Sequence, residues 1–140
     1  MQQYGFHFAY RLNGGQPTIQ EFLFKDTETL TKGDLVNLES GEVDLAATND
    51  TALLGAVVET KSGVDSTTWI KAITDRDAVY AVYDANARTM GTVLDIAGTT
   101  GAMTLATDSN HDVVVVANSA ADEPTLVAII SAEHVLSKVG

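Results

Sequence analysis

The same β-hairpin pattern occurs twice in this chain, and no other feature constrains its fold as tightly. In residues 33–46 Gly33 opens an apolar run ending at Leu38, Gly41 closes the turn, and Val43 leads into Leu45 and Ala46. In residues 91–106 Gly91 opens a run ending at Ile96, Gly98 and Gly101 punctuate a longer turn, and Met103 leads into Leu105 and Ala106. A repeated hairpin is a repeated way of burying one sheet face, so two related β units on one scaffold are expected.

The rest of the chain supplies further strands. Residues 53–58 and 67–73 are rich in β-branched and apolar residues and are separated by polar breaks. Residues 78–83 read as another strand, although their alanines leave a helical reading open, and residues 84–88 read as a connector or a single helical turn. Residues 112–117 lack polar alternation, which predicts a strand buried on both faces. A break is expected at 120–124, a last strand at 126–131, and a strand end or short helix at 133–138. These signals predict an all-β fold, a compact barrel or sandwich with a duplicated hairpin unit and an extended N-terminal arm or hairpin.

The N-terminal segment differs from the rest of the chain. Tyr4, Phe6, Phe8 and Tyr10 recur at period 2, which places them on one face of an extended strand, with Gly5, His7 and Ala9 on the other. Phe22 and Phe24 repeat the pattern beyond an Asn13-Gly14-Gly15 turn and Pro17. All four Phe fall within residues 1–24. Residues 1–29 are therefore set apart as an aromatic arm or hairpin, and 30–140 as the β domain, with lobes at 30–74 and 75–140. The aromatic stripe is read two ways, as a cap on the protein's own core or as an arm that docks on a partner's sheet edge. Trp69, the single Trp, is a second candidate anchor. On the docking reading, deletion of residues 1–10 leaves a folded domain that no longer binds.

Charge narrows the partners. Eight Lys+Arg against 19 Asp+Glu give a net charge of −11, a surface that repels phosphate backbones and anionic lipid, so neither nucleic acid nor membrane is an expected partner. With 140 residues and 45% hydrophobic content the chain suits one compact domain or two joined β lobes. It has no cysteine, which leaves thiol chemistry out. The first residues carry no secretory pattern, which points to synthesis in the cytoplasm.

Motifs for chemistry are sparse. Asp108, Asn110 and Asp112 have the D-x-N-x-D opening of a calcium loop, but Val113 stands where the loop needs Gly and Ser119 where it needs Glu, so a polar turn is the reading. Asp75-Arg76-Asp77 reads as a solvated turn with weak ion pairs. His7, His111 and His134 lack zinc spacing. Asn49-Asp50-Thr51 matches a glycosylation sequon by chance. There is no nucleophile elbow, phosphate loop or positioned acid–base pair, so neither catalysis nor a bound metal or cofactor is expected.

Residues 30–58, with the first hairpin, its polar linker and the Leu53-Leu54-Gly55-Ala56-Val57-Val58 strand, resemble the head-decoration, or capsid cement, proteins of tailed bacteriophages. Residues 66–72 and Tyr80-Ala81-Val82 resemble that family's next strands. The resemblance implies a virion structural protein on the outer capsid surface, often a homotrimer, whose partner is the major capsid protein and which stabilises contacts between capsomers. On that function the aromatic stripe supplies the candidate interface anchors Tyr4, Phe6, Phe8 and Tyr10, with the lone Trp69 as a further one. A carbohydrate- or receptor-binding module of a phage tail or cell surface is the alternative, with Trp69, Tyr80 and Tyr83 as its aromatic platform.

Overall fold

The computed structural model describes residues 4–47, 50, 52–107 and 111–130. Residues 108–110 of the calcium-like turn, most of the sequon, His134 and the segment 133–138 lie outside them. The described residues form strands and turns with no helix. The strands are β1 (His7–Arg11), β2 (Ile19–Phe24), β3 (Glu28–Leu30), β4 (Leu35–Glu39), β5 (Glu42–Leu45), β6 (Leu53–Ala56), β7 (Lys61–Gly63), β8 (Trp69–Ile73), β9 (Ala78–Asp84), β10 (Val93–Ala97), β11 (Thr104–Thr107), β12 (Val113–Val115) and β13 (Glu123–Ile129). A five-stranded sheet runs β6-β4-β5-β2-β8 and a six-stranded sheet β1-β9-β13-β12-β10-β11, with β3 and β7 paired separately.

The duplication reaches well beyond the hairpins. Each hairpin is led in by a turn with glycine at its third position: Asp34 N–H donates to the Thr31 carbonyl, and Thr92 N–H to the Thr89 carbonyl. Gly33 and Gly91 have φ of 96° and 91°, the conformation that position demands and that a side chain would resist. Gly33 bonds Val57 and Gly91 bonds Val115; Val57 returns a bond to Asp34 and Val115 to Thr92. Leu30 pairs with Lys61, and Arg88 with Ser119. Each of these second partners lies 58 positions after the first. The same step takes β2 to β9, and a step one residue shorter takes β8 to β13, since Phe22 opposite Ile70 matches Tyr80 opposite Val127.

Both lobes therefore share one circular strand order. In the first, the sheet curls until Val57 bridges Ala72, joining the run after β6 to β8. In the second, the Thr104 hydroxyl donates to the Tyr83 carbonyl at 2.7 Å and brings β11 against β9. The core of the first lobe holds Phe22, Phe24, Val36, Leu38, Val43, Val57, Ile70 and Ala72. Their counterparts Tyr80, Val82, Leu94, Ile96, Leu105, Val115, Val127 and Ile129 lie in the other core cluster. That second cluster also takes in Leu35, Leu53, Ala56 and Ile73 from the first lobe. Strand β6 is buried along its length, and β4 as far as Leu38, because one face fills their own lobe while the other closes the neighbouring one.

Several sequence expectations are corrected here. Residues 4–29 are not set apart, because β1 pairs with β9 and β2 sits between β5 and β8. The repeat accordingly begins at β2, not at residue 30. Leu38 faces Val43 and Ile96 faces Leu105, so Val43 corresponds to Leu105, a shift of two that preserves the face, and Met103 lies in the turn. Residues 78–83 form the expected strand, and the helical alternative does not hold. The break expected at 120–124 ends earlier: β13 starts at Glu123, and Pro124 is its exposed second residue, where a missing donor is tolerated.

Candidate interaction surface

The N-terminal aromatics meet different fates. Strand β1 starts only at His7, and its register against β9 shifts between Phe8 and Tyr10. A bulge of this kind turns following side chains off the original face. Phe6 is 1% exposed, packs edge-on to Tyr80 at 6.3 Å between ring centres and is anchored by its N–H on the Gly33 carbonyl. Phe8 is half-buried against the same core. Neither is available as an exposed anchor, and deleting residues 1–10 would remove core and bare the edge of β9. Tyr4 and Tyr10 stay 40% and 43% exposed.

Tyr4 meets Tyr83 edge to face at 5.3 Å, and the Tyr83 hydroxyl donates to Asp122 Oδ1 at 2.9 Å. Beyond the bulge, Tyr10 and, just past β1, Leu12 are exposed as well. Arg11 fixes this segment by donating to Asp77 at 2.9 Å, with Asp75 at 3.6 Å. Asp77 also accepts from Asn13 N–H. Burial pushes the Asp77 carboxyl up, but the Arg11 and Asn13 hydrogen bonds outweigh it and leave it below the ordinary carboxylate range. The two acids thus pin the N-terminal strand and its turn, a role the local Asp-Arg-Asp spacing did not disclose.

Trp69 is 47% exposed on the outer face of β8, opposite Leu23 of β2, with exposed Ile19 further along that ladder. Lys61 Nζ donates to its carbonyl at 2.7 Å. Trp69, Tyr80 and Tyr83 do not form a platform. Tyr80 is fully buried, its oxygen accepts from Ala56 N–H at 3.3 Å, and burial drives its phenol far above the ordinary range. His7 and His111 are not brought together, and no cluster among the described residues has the composition of a metal site. Asp112 is buried, with Oδ2 accepting from Ile96 N–H at 3.0 Å, so its carboxylate serves the fold.

Below the first hairpin, Glu28 and Asp44 are partly buried, and desolvation raises both carboxyls. Asp44 Oδ1 has no hydrogen-bond partner among the described residues. Raised carboxyls make their contribution below the unfolded value and lose it as pH climbs through the folded value. Asp44→Asn is therefore expected to stabilise the protein at pH 7 by roughly 0.5 kcal/mol, an advantage that vanishes near pH 4. Urea melts at both pH values check this, and equal or lower stability at pH 7 would contradict it.

No family model matches the chain, and no curated protein matches it in sequence. In fold it is similar to a solved structure described as the head fiber gp8.5 N base in bacteriophage phi29, with a TM-score of 0.53 and 17% identity. The likeness covers 81% of this chain and 96% of that one.

Proposed function

We propose that this chain is a phage virion structural protein that binds the outer surface of the assembled capsid and stabilises contacts between capsomers as a homotrimer. The observation that carries the reading is the fold likeness to a phage head fiber base, which spans nearly all of that domain. It joins the capsid-protein resemblance of residues 30–58 to a two-lobed architecture built for rigidity. The mechanism is linkage: a ligand that binds the assembled shell and not its separated subunits stabilises the shell by mass action. Repetition over a symmetric lattice multiplies a modest contact. An acidic exterior at −11 neither traps DNA nor favours self-aggregation.

The exposed anchors are Tyr4, Tyr10 and Trp69, of the kind whose truncation costs about 1–2 kcal/mol each at an interface. Purified protein is expected to co-sediment with phage heads that lack it. A Tyr4→Ser, Tyr10→Ser, Trp69→Ser variant with an unchanged circular dichroism spectrum is expected to bind at least roughly tenfold more weakly. Failure of the native protein to sediment with heads would reject the proposal, and undiminished binding by the variant would move the contact elsewhere.

A further inference from the structure

A groove of about 280 Å³ runs between β1 and the wall of the first lobe. Its apolar lining includes Phe8, Val58 and Ile73, and Phe8 and Val58 are only half-buried by the chain itself. Its polar lining is His7 and Lys32. The size decides what fits. At about 30 Å³ per water it holds roughly nine, room for a short piece of chain and just below the range of cofactor pockets.

The histidine is set in place. Gly5 and Gly33, with φ of 97° and 96°, form a slot around its ring: a Cβ on Gly33 would lie 2.9 Å from His7 Cε1, and one on Gly5 3.2 Å from Nε2. His7 Nε2 lies 2.8 Å from the Tyr4 carbonyl, which only accepts, so Nε2 carries the proton. In the neutral ring Nδ1 is then an acceptor, and it has no hydrogen-bond partner among the described residues. Lys32 likewise has no ion-pair partner among them, in a chain with 19 acids and eight Lys+Arg. Away from β9, β1 is an edge strand among the described residues, so its outer backbone groups can receive a further strand.

We infer that this groove is the anchoring pocket for an extended segment of a protein partner in which an apolar residue adjoins a carboxylate. The apolar side chain lies on Phe8, Val58 and Ile73, the carboxylate meets the Lys32 ammonium, and a backbone N–H donates to His7 Nδ1. The remaining segment runs beside β1 by strand addition, where main-chain bonds give affinity and the pocket gives specificity. The charge pattern selects this occupant: an acidic segment is repelled by most of this surface and accepted where Lys32 stands unpaired. The inference rests on the capsid-binding reading for the identity of the partner, but not for the chemistry of the pocket.

The pocket is tested on the full chain by amide NMR with N-acetyl-leucine, which carries all three groups, and with N-acetyl-leucinamide, which lacks the charge. Millimolar N-acetyl-leucine is expected to shift the amides of His7, Gly33 and Val58, with at least fivefold weaker binding for the amide and for Lys32→Met. Absence of shifts there, or equal binding of both compounds, would overturn the inference. Head co-sedimentation supplies the second arm. With native protein bound, Lys32→Glu is expected to lower binding at least tenfold, and undiminished binding would overturn the groove as the docking site. If native protein does not bind heads, the capsid reading fails and the titration alone judges the pocket.

Discussion

Gly55→Val is expected to cost more than about 4 kcal/mol and to leave little soluble protein, although the repeat makes it look conservative. The position 58 residues on is Val113, a core valine of the second lobe. At Gly55, however, a Cβ would stand 2.1 Å from the Ile73 carbonyl oxygen and 2.8 Å from the Tyr80 hydroxyl. The first of these is backbone and cannot swing aside, so β6 and β8 would have to part and the Tyr80–Ala56 hydrogen bond would go with them. Gly41→Ala is the informative control. Its φ is 82° but a Cβ there meets nothing within 4 Å, so it carries only the conformational penalty, about 1 kcal/mol. Urea melts separate the two. Near-native stability of Gly55→Val would mean that the lobes are not packed as closely as this.

The same comparison explains what the sequence disclosed and what it hid. The hairpins at 33–46 and 91–106 were legible because glycine punctuation and alternating apolar residues are local signals. The longer repeat was not, because what the lobes share is geometry: Phe22 and Tyr80, or Phe24 and Val82, fill equivalent positions with different side chains. Leu30 is replaced by Arg88, held by Asp84 in a partly buried ion pair, so the match is invisible to residue type. The aromatic stripe is genuine as alternation but wrong as a single face. Period 2 knows nothing of the bulge at Ala9 or of the core around Tyr80 that buries Phe6. Tyr80 looked like a surface ring because its burial comes from strands far away in sequence. Lys32 and His7 gave no signal, since only the fold brings residues 7, 32 and 58 to one groove.

Asp34→Ala is expected to destabilise the protein by about 3 kcal/mol, lowering the melting temperature by roughly 10 °C. Asp34 is wholly buried, and its carboxylate binds both lobes at once. Oδ2 accepts from Thr31 N–H at 2.8 Å in its own turn and from the Thr100 hydroxyl, while Oδ1 accepts from Gly101 N–H at 2.9 Å. Charge-assisted bonds of this kind are about twice as strong as neutral ones. They explain why the second hairpin has the longer turn. Residues 98–103 reach back to the first lobe, where Leu35 N–H lies 3.2 Å from Met103 Sδ, and the Met103 carbonyl accepts from Gly5 N–H of the N-terminal segment at 2.9 Å. At the equivalent place in the second lobe stands Thr92, which has no carboxylate with which to clamp a partner lobe. Asp34→Asn keeps one acceptor oxygen and should lose less, about 1–2 kcal/mol. Thr100→Val removes a single hydroxyl and should couple to Asp34→Ala, because the double variant loses that bond only once. Hydrogen exchange gives the decisive readout. In Asp34→Ala the amides of Gly101 and Gly5 are expected to lose protection before those of β9 and β13, whereas uniform loss across all strands would mean that the carboxylate stabilises the fold without joining its halves.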